Sequence, residues 1–163
     1  MELELKEAAR PEDVIAFTDA ILVGEPNLNA NMANLSALLH QFLPRINWIG
    51  FYVCESATGD WVLGPFAGKP ACTRIEAGRG VVGQGLKSGH SLVVEEVAVF
   101  PGHIACDAAS RSEVVVPVVS DNRVVAGLDV DSPFVGRFQP VDVELLERVC
   151  QRLGARWPSG CWY

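Results

Sequence analysis

Residues 113–132 read EVVVPVVSDNRVVAGLDVDS. Two runs rich in β-branched residues, Glu113–Ser120 and Val124–Asp131, flank Asp121-Asn122-Arg123, whose composition suits a tight reversal. The stretch is therefore read as a β-hairpin. In its second strand Asp129 and Asp131 alternate with apolar residues, so both project from one face. Upstream, INWIGFYVC at Ile46–Cys54 reads as another strand, with Trp61–Phe66 as its hairpin partner across Ala57-Thr58-Gly59-Asp60. Shorter strands are expected around Thr73–Ile75 and at Ser91–Val94. Helices flank this β-rich centre. Pro11 suits the first turn of a helix through about Leu22, ended by Gly24, Pro26 and Asn27. Asn29 or Asn31 is expected to cap a second helix through Phe42, whose Met32, Leu35, Leu38, Leu39 and Phe42 form one apolar stripe. Val81–Lys87 reads as a short helix ended near Gly89, and Pro140 opens a last helix with Val141, Leu145, Leu146 and Val149 on its apolar face. The expected fold class is α+β, a central antiparallel sheet layered with helices.

A chain of 163 residues suits a single domain that buries about 70% of its unfolded surface. Its apolar fraction of 49% and charged fraction of 20% exclude disorder. No apolar run reaches the roughly 20 residues of a membrane helix, and the longest is broken by Pro117. The N-terminal MELELKEAARPED is acidic, unlike a signal peptide. The expected location is cytoplasmic. The net charge of −7 argues against nucleic acid and membrane as partners. Five cysteines, Cys54, Cys72, Cys106, Cys150 and Cys161, leave three explanations open: core thiols, a metal site, or redox chemistry.

Gly78-Arg79-Gly80-Val81-Val82-Gly83 matches GxGxxG, but a dinucleotide site needs a βαβ unit that the hairpins exclude, so a sharp structural turn beside a pocket is expected. His103 and Cys106 are three apart and could share an ion with Cys72, but a closed zinc site wants a fourth ligand and paired spacings. No metal is expected. Cys54 and Cys150 lie in apolar contexts and read as core thiols, and Cys161 reads as adventitious. Cys72 and Cys106 lie in loop-like segments, and nearby Lys69, Arg74 and His103 are expected to favour a thiolate. Glu113 starts a strand seven residues after Cys106; beneath a loop Asp129 and Asp131 could accept hydrogen bonds from a small cationic group or hold a proton, whereas on an open face they are solvated charges. Trp48 and Tyr52 share a strand face and are either core or one wall of a ligand pocket.

Asn47-Trp48-Ile49-Gly50-Phe51-Tyr52, the run from Leu63 to Cys72, Gly78-Arg79-Gly80-Val81, the run from Phe100 to Glu113 (FPGHIACDAASRSE) and Leu128-Asp129-Val130-Asp131-Ser132 follow one another in an order that resembles the free methionine-(R)-sulfoxide reductases, stand-alone GAF-domain enzymes. The resemblance spans roughly Asn27 to Leu153 and implies a single GAF-like domain over 1–163, with an N-terminal helix and a short C-terminal tail. It implies reduction of the R epimer of free L-methionine sulfoxide. Cys106 would be the catalytic cysteine, Cys72 the resolving one, and a Cys72–Cys106 disulfide would be recycled by an external thioredoxin-type dithiol with no bound cofactor. Glu113 would hydrogen-bond or protonate the sulfoxide oxygen, with Asp129 and Asp131 lining the substrate site and Trp48 and Tyr52 enclosing its methyl and sulfur. Family members are often dimers. Many also carry a cysteine where this chain has Val82, so any relay through a third thiol is in doubt. The competing expectation is a GAF domain that senses a small ligand or redox state without turnover.

Overall fold

The computed structural model describes residues 10–104 and 106–159. Cys161 lies outside them. Four helices, α1 (Pro11–Leu22), α2 (Leu28–Phe42), α3 (Gly80–Ser88) and α4 (Pro140–Ala155), surround six strands: β1 (Trp48–Cys54), β2 (Trp61–Gly68), β3 (Arg74–Ile75), β4 (Leu92–Val94), β5 (Ser112–Ser120) and β6 (Arg123–Ser132). The strands form one sheet in the order β3-β2-β1-β6-β5-β4, antiparallel throughout. The α+β expectation holds. No helix is long and apolar enough to cross a membrane among the described residues.

The hairpin closes more tightly than the sequence suggests. Ser120 pairs with Arg123, and Asp121 and Asn122 alone turn the chain, at φ 49° and 59°. Two successive positive φ angles match the right-handed twist of the strands they join, and Asp and Asn tolerate that conformation. The second helix is capped by Asn27, not by Asn29 or Asn31: its side chain accepts from the Ala30 N–H at 2.9 Å. The break at Gly24–Pro26 ends α1 so close to α2 that the first polar residue after it serves as the cap. β1 begins at Trp48, two residues later than expected, and β2 runs on to Gly68 through a bulge opposite Gly50–Tyr52. The loop between β4 and β5 holds one short turn of 3-10 helix at Val97–Val99.

Strand alternation sorts the molecule into two layers. Ile49, Phe51 and Val53 of β1, Val114, Val116 and Val118 of β5, and Ala126, Leu128 and Val130 of β6 face α1, α2 and α4 in the larger core. Cys150 lies in this layer, fully buried. The helix α4 buries Leu145, Leu146, Val149, Cys150 and Leu153, whereas Val141 is 58% exposed and outside the apolar face assigned to it. The other sheet face carries Trp48, Tyr52 and Val115, packed with Val81, Val82 and Leu86 of α3 in a smaller cluster. Gly127 makes that packing possible, because a Cβ there would run into the Leu86 side chain. Cys54 is half-buried at the rim of the smaller cluster rather than in the core.

The larger layer should carry most of the stability. Leu146→Ala, at a fully buried site, should cost about 2–5 kcal/mol in urea unfolding, and Val141→Ala should stay within about 0.5 kcal/mol. Equal losses at the two positions would contradict the assignment of α4's buried face.

Candidate active site

The site is built on the smaller layer by strand register. Glu113 of β5 pairs with Asp131 of β6, and Asp131 pairs in turn with Trp48 of β1. One step along, Val115 pairs with Asp129, which faces Gly50. Residues directly opposite one another on one face have neighbouring side chains, so two strands of alternating sequence bring three acids together. Their oxygens lie within 4.8 Å of one another, a spacing that lets them converge on one small cation, an ammonium or a metal ion. Asp129 and Glu113 are each only 6% exposed. The solvated reading of these acids does not hold.

Burial sets their electrostatics. Desolvation pushes the Asp129 carboxyl well above the usual carboxylate range, and the neighbouring charges of Glu113 and Asp131 push it further. Glu113 is raised by burial and then by Asp131, and a hydrogen bond shared with Asp129 pulls it back. Both shifts favour a proton held on the pair. Asp131 is pushed up to about 7, chiefly by burial, against a hydrogen bond from Ser110 that favours its charged form. The Asp129 Oδ1 atom is buried without a hydrogen-bond partner among the described residues, an uncompensated acceptor inside the pocket.

The aromatics do more than form a wall. Trp48 stacks on Phe66 with ring centroids 5.5 Å apart and lies 6.1 Å from Tyr52. Its Nε1–H donates to the Lys69 carbonyl at 3.0 Å, and the Tyr52 hydroxyl donates to the Cys72 carbonyl at 3.0 Å. Both polar ends thus pin the loop that carries Cys72. Burial, followed by the charges of Asp129, Asp131 and Glu113, raises the Tyr52 phenol, which stays protonated.

The loop carrying Cys106 is held from the same strand. Asn47, just before β1, donates through Nδ2 to Asp107 Oδ2 at 3.2 Å and to Ser110 Oγ at 3.1 Å. Lys69 pairs with Asp107 at 3.5 Å and so links the two loops. Between them, Cys72 and Cys106 form a disulfide, with Cα atoms 5.6 Å apart across 34 residues of sequence. Neither is a metal ligand in this state. Cys106, His103, Ile104, Ala71 and Val82 share with the acids and the two aromatics the lining of a cavity of about 30 Å³. The turn at Gly78–Gly80 also borders it, with Gly78 and Gly80 at φ of 77° and 64°, the sharp turn expected beside a pocket, but from Gly80 onward the expected loop is already helix α3.

The cations assigned to the thiols are engaged differently. Arg74 is bound to Glu55 at 2.7 and 2.9 Å and to Asp60 at 3.4 Å, Lys69 is committed to Asp107, and burial lowers the His103 imidazole toward its neutral form. Sequence proximity to Cys72 placed Arg74 in that role, but the β2–β3 pairing of Val62 with Arg74 turns it toward the β1–β2 turn. Asn47, Asp107 and Ser110 received no role from the sequence alone. Their partners lie 60 and 63 residues away, and no local periodicity signals such contacts.

Comparison with known proteins agrees with this geometry. The pattern that defines the GAF domain matches residues 21–157. The chain is 47% identical over 135 residues to the free methionine-R-sulfoxide reductase of Escherichia coli, covering 83% of this chain and 81% of that protein. It is 36% identical over 146 residues to the enzyme of the same name from Saccharomyces cerevisiae, covering 86% and 81%. The structure superimposes on the free methionine-R-sulfoxide reductase of Neisseria meningitidis, solved in complex with its substrate, with a TM-score of 0.91 at 36% identity over 96% of each chain. With two sheet-borne rows of pocket residues and a disulfide at the cavity, the chain belongs to the free methionine-R-sulfoxide reductases of the GAF-domain family.

Proposed function

We propose that this protein reduces the R epimer of free L-methionine sulfoxide to methionine, with Cys106 as the attacking thiolate. The observation that carries the reading is the convergence on one cavity of Cys106, bonded to Cys72, and three carboxyl groups with strongly perturbed protonation. A ligand sensor without chemistry leaves that bond without a use.

In the reduced protein the Cys106 thiolate attacks the sulfoxide sulfur while the Asp129–Glu113 pair delivers its proton to the sulfoxide oxygen. The sulfur–oxygen bond breaks and the oxygen passes to Cys106. Methionine leaves, reduced by two electrons, and Cys106 becomes a sulfenic acid. The carboxylate left behind recovers a proton from solvent. Cys72 then attacks the Cys106 sulfur, the disulfide forms and the oxygen departs as water. A thioredoxin-type dithiol restores both thiols and is itself oxidised. No bound cofactor takes part.

Asp131, in the row between Trp48 and Glu113, receives the substrate ammonium. A methionine sulfoxide within a polypeptide lacks that charge, which confines the reaction to the free amino acid. Trp48 and Tyr52 enclose the methyl and sulfur. The reading also carries a cytoplasmic location, expected from the acidic N-terminal sequence, together with a part in the response to oxidative stress and assembly as a homodimer, which accompany the family resemblance.

Racemic methionine sulfoxide supplied with excess dithiol should be consumed to one half, with the S epimer left, and Cys106→Ser should lower the rate by at least about 10³-fold. Turnover no greater than that of Cys106→Ser, or consumption of both epimers, contradicts the reading. A second expectation follows from Asp131, whose carboxyl is pushed up to about 7. Below that pH it is neutral and cannot pair with the ammonium, so KM should fall as pH rises from 6 to 8. Asp131→Asn should raise KM at pH 8 by about 10- to 100-fold, the worth of one hydrogen bond to a charged group, and flatten the pH profile. An unchanged slope in Asp131→Asn assigns the titration to another group.

A further inference from the structure

The two sulfurs of the disulfide are not equivalent. Cys106 is exposed, whereas Cys72 is half-buried and packs against the cluster of Trp48, Tyr52, Trp61 and Ile75. The carbonyl of Cys72 is held by the Tyr52 hydroxyl, and its loop is held again at Lys69 by Trp48. Along the chain on either side of Cys106, the small residues Gly102, Ala108 and Ala109 are exposed.

Thiol–disulfide exchange depends on which sulfur can be approached. The incoming thiolate must arrive along the sulfur–sulfur axis, from the side opposite the leaving sulfur. Cys106 is exposed and so the more open to that approach, while Cys72, packed against the aromatic cluster, is the more shielded. Among the described residues no third thiol lines the cavity. Val82 occupies its place in the cavity lining as a buried apolar residue, Cys150 lies in the core on the far side of the sheet, and Cys54 sits half-buried at the end of β1.

We infer that the restoring electrons enter at Cys106: a thioredoxin-type dithiol protein attacks the Cys106 sulfur and Cys72 leaves as the thiolate. This rests on the recycling step proposed above and specifies it. The first external thiolate forms a bond to Cys106, the Cys72–Cys106 bond breaks, and Cys72 takes a proton from solvent. The second external thiol then attacks its own partner sulfur in the mixed disulfide, releases Cys106 as a thiolate and leaves the external protein as a disulfide. Two electrons pass from the external pair to Cys72 and Cys106. Because one sulfur meets both the sulfoxide and the reductant, the two cannot be engaged together.

The test uses the oxidised full-length protein without any methionine sulfoxide, so its outcome is separate from that of the turnover assay. The protein is mixed with a monothiol (glutathione) for milliseconds, quenched with acid, and the adduct is located by peptide mass spectrometry. In parallel it is mixed with a thioredoxin whose second active-site cysteine is replaced by serine, which halts exchange at the mixed disulfide. Both probes should be found on Cys106 in at least tenfold excess over Cys72. Adducts on Cys72, or in equal amounts on the two, overturn the inference. A glutathione adduct on Cys106 without any thioredoxin adduct overturns the partner class named here.

Discussion

Three carboxyl groups enclosed together away from water cannot all be ionised, and the rest of the site is arranged around that constraint. Desolvation raises each carboxyl; the charges of Glu113 and Asp131 raise Asp129 further, Asp131 raises Glu113, and Asp107 raises Asp131. The arrangement costs stability. Folding holds protons on groups that would release them in the unfolded chain, so the cost grows as pH rises above the unfolded carboxylate pKa toward the raised folded values. In exchange, the pocket contains an acid that is protonated near neutrality and a carboxyl poised to ionise when a cation arrives. Acid catalysis and ammonium recognition need those two states side by side.

Antiparallel pairing holds the acids together against their repulsion. Glu113 and Asp131 face each other across a ladder anchored by the fully buried Val114 and Val130, whose side chains point into the opposite layer. The same alternation sends Trp48 and Tyr52 toward the acids and Ile49, Phe51 and Val53 toward α1, α2 and α4. Asn47, Trp48 and Tyr52 then reach the two cysteine loops through hydrogen bonds of 3.0 to 3.2 Å. The strand that walls the substrate space is thus also the fixed point from which both reacting sulfurs are positioned.

The readable parts were those with short periods. The alternation of Leu128 to Ser132 foretold that Asp129 and Asp131 share a face, and the helical stripe from Met32 to Leu39 foretold the packing of α2. Polar contacts between distant segments gave no such sign. Arg74 stands two residues from Cys72, yet its guanidinium is bound to Glu55 and Asp60. Asn47 lies in a recognisable motif, but its hold on Asp107 and Ser110 depends on where the loop after β4 returns to the sheet. The proximity of Cys72 and Cys106 came from the family resemblance alone. Nothing in the spacing of 34 residues carries it, because both lie in loops whose course is set by β1.

The central claim is that one sulfoxide oxidises this protein by two electrons at one pair of sulfurs. Pre-reduced protein, freed of dithiol and mixed with excess methionine-R-sulfoxide, tests it in a single turnover. One methionine should form per chain, two thiols should be lost, and the new bond should map to Cys72–Cys106. Methionine formation without thiol loss, or a new bond joining Cys106 to Cys54 or Cys150, would contradict the account.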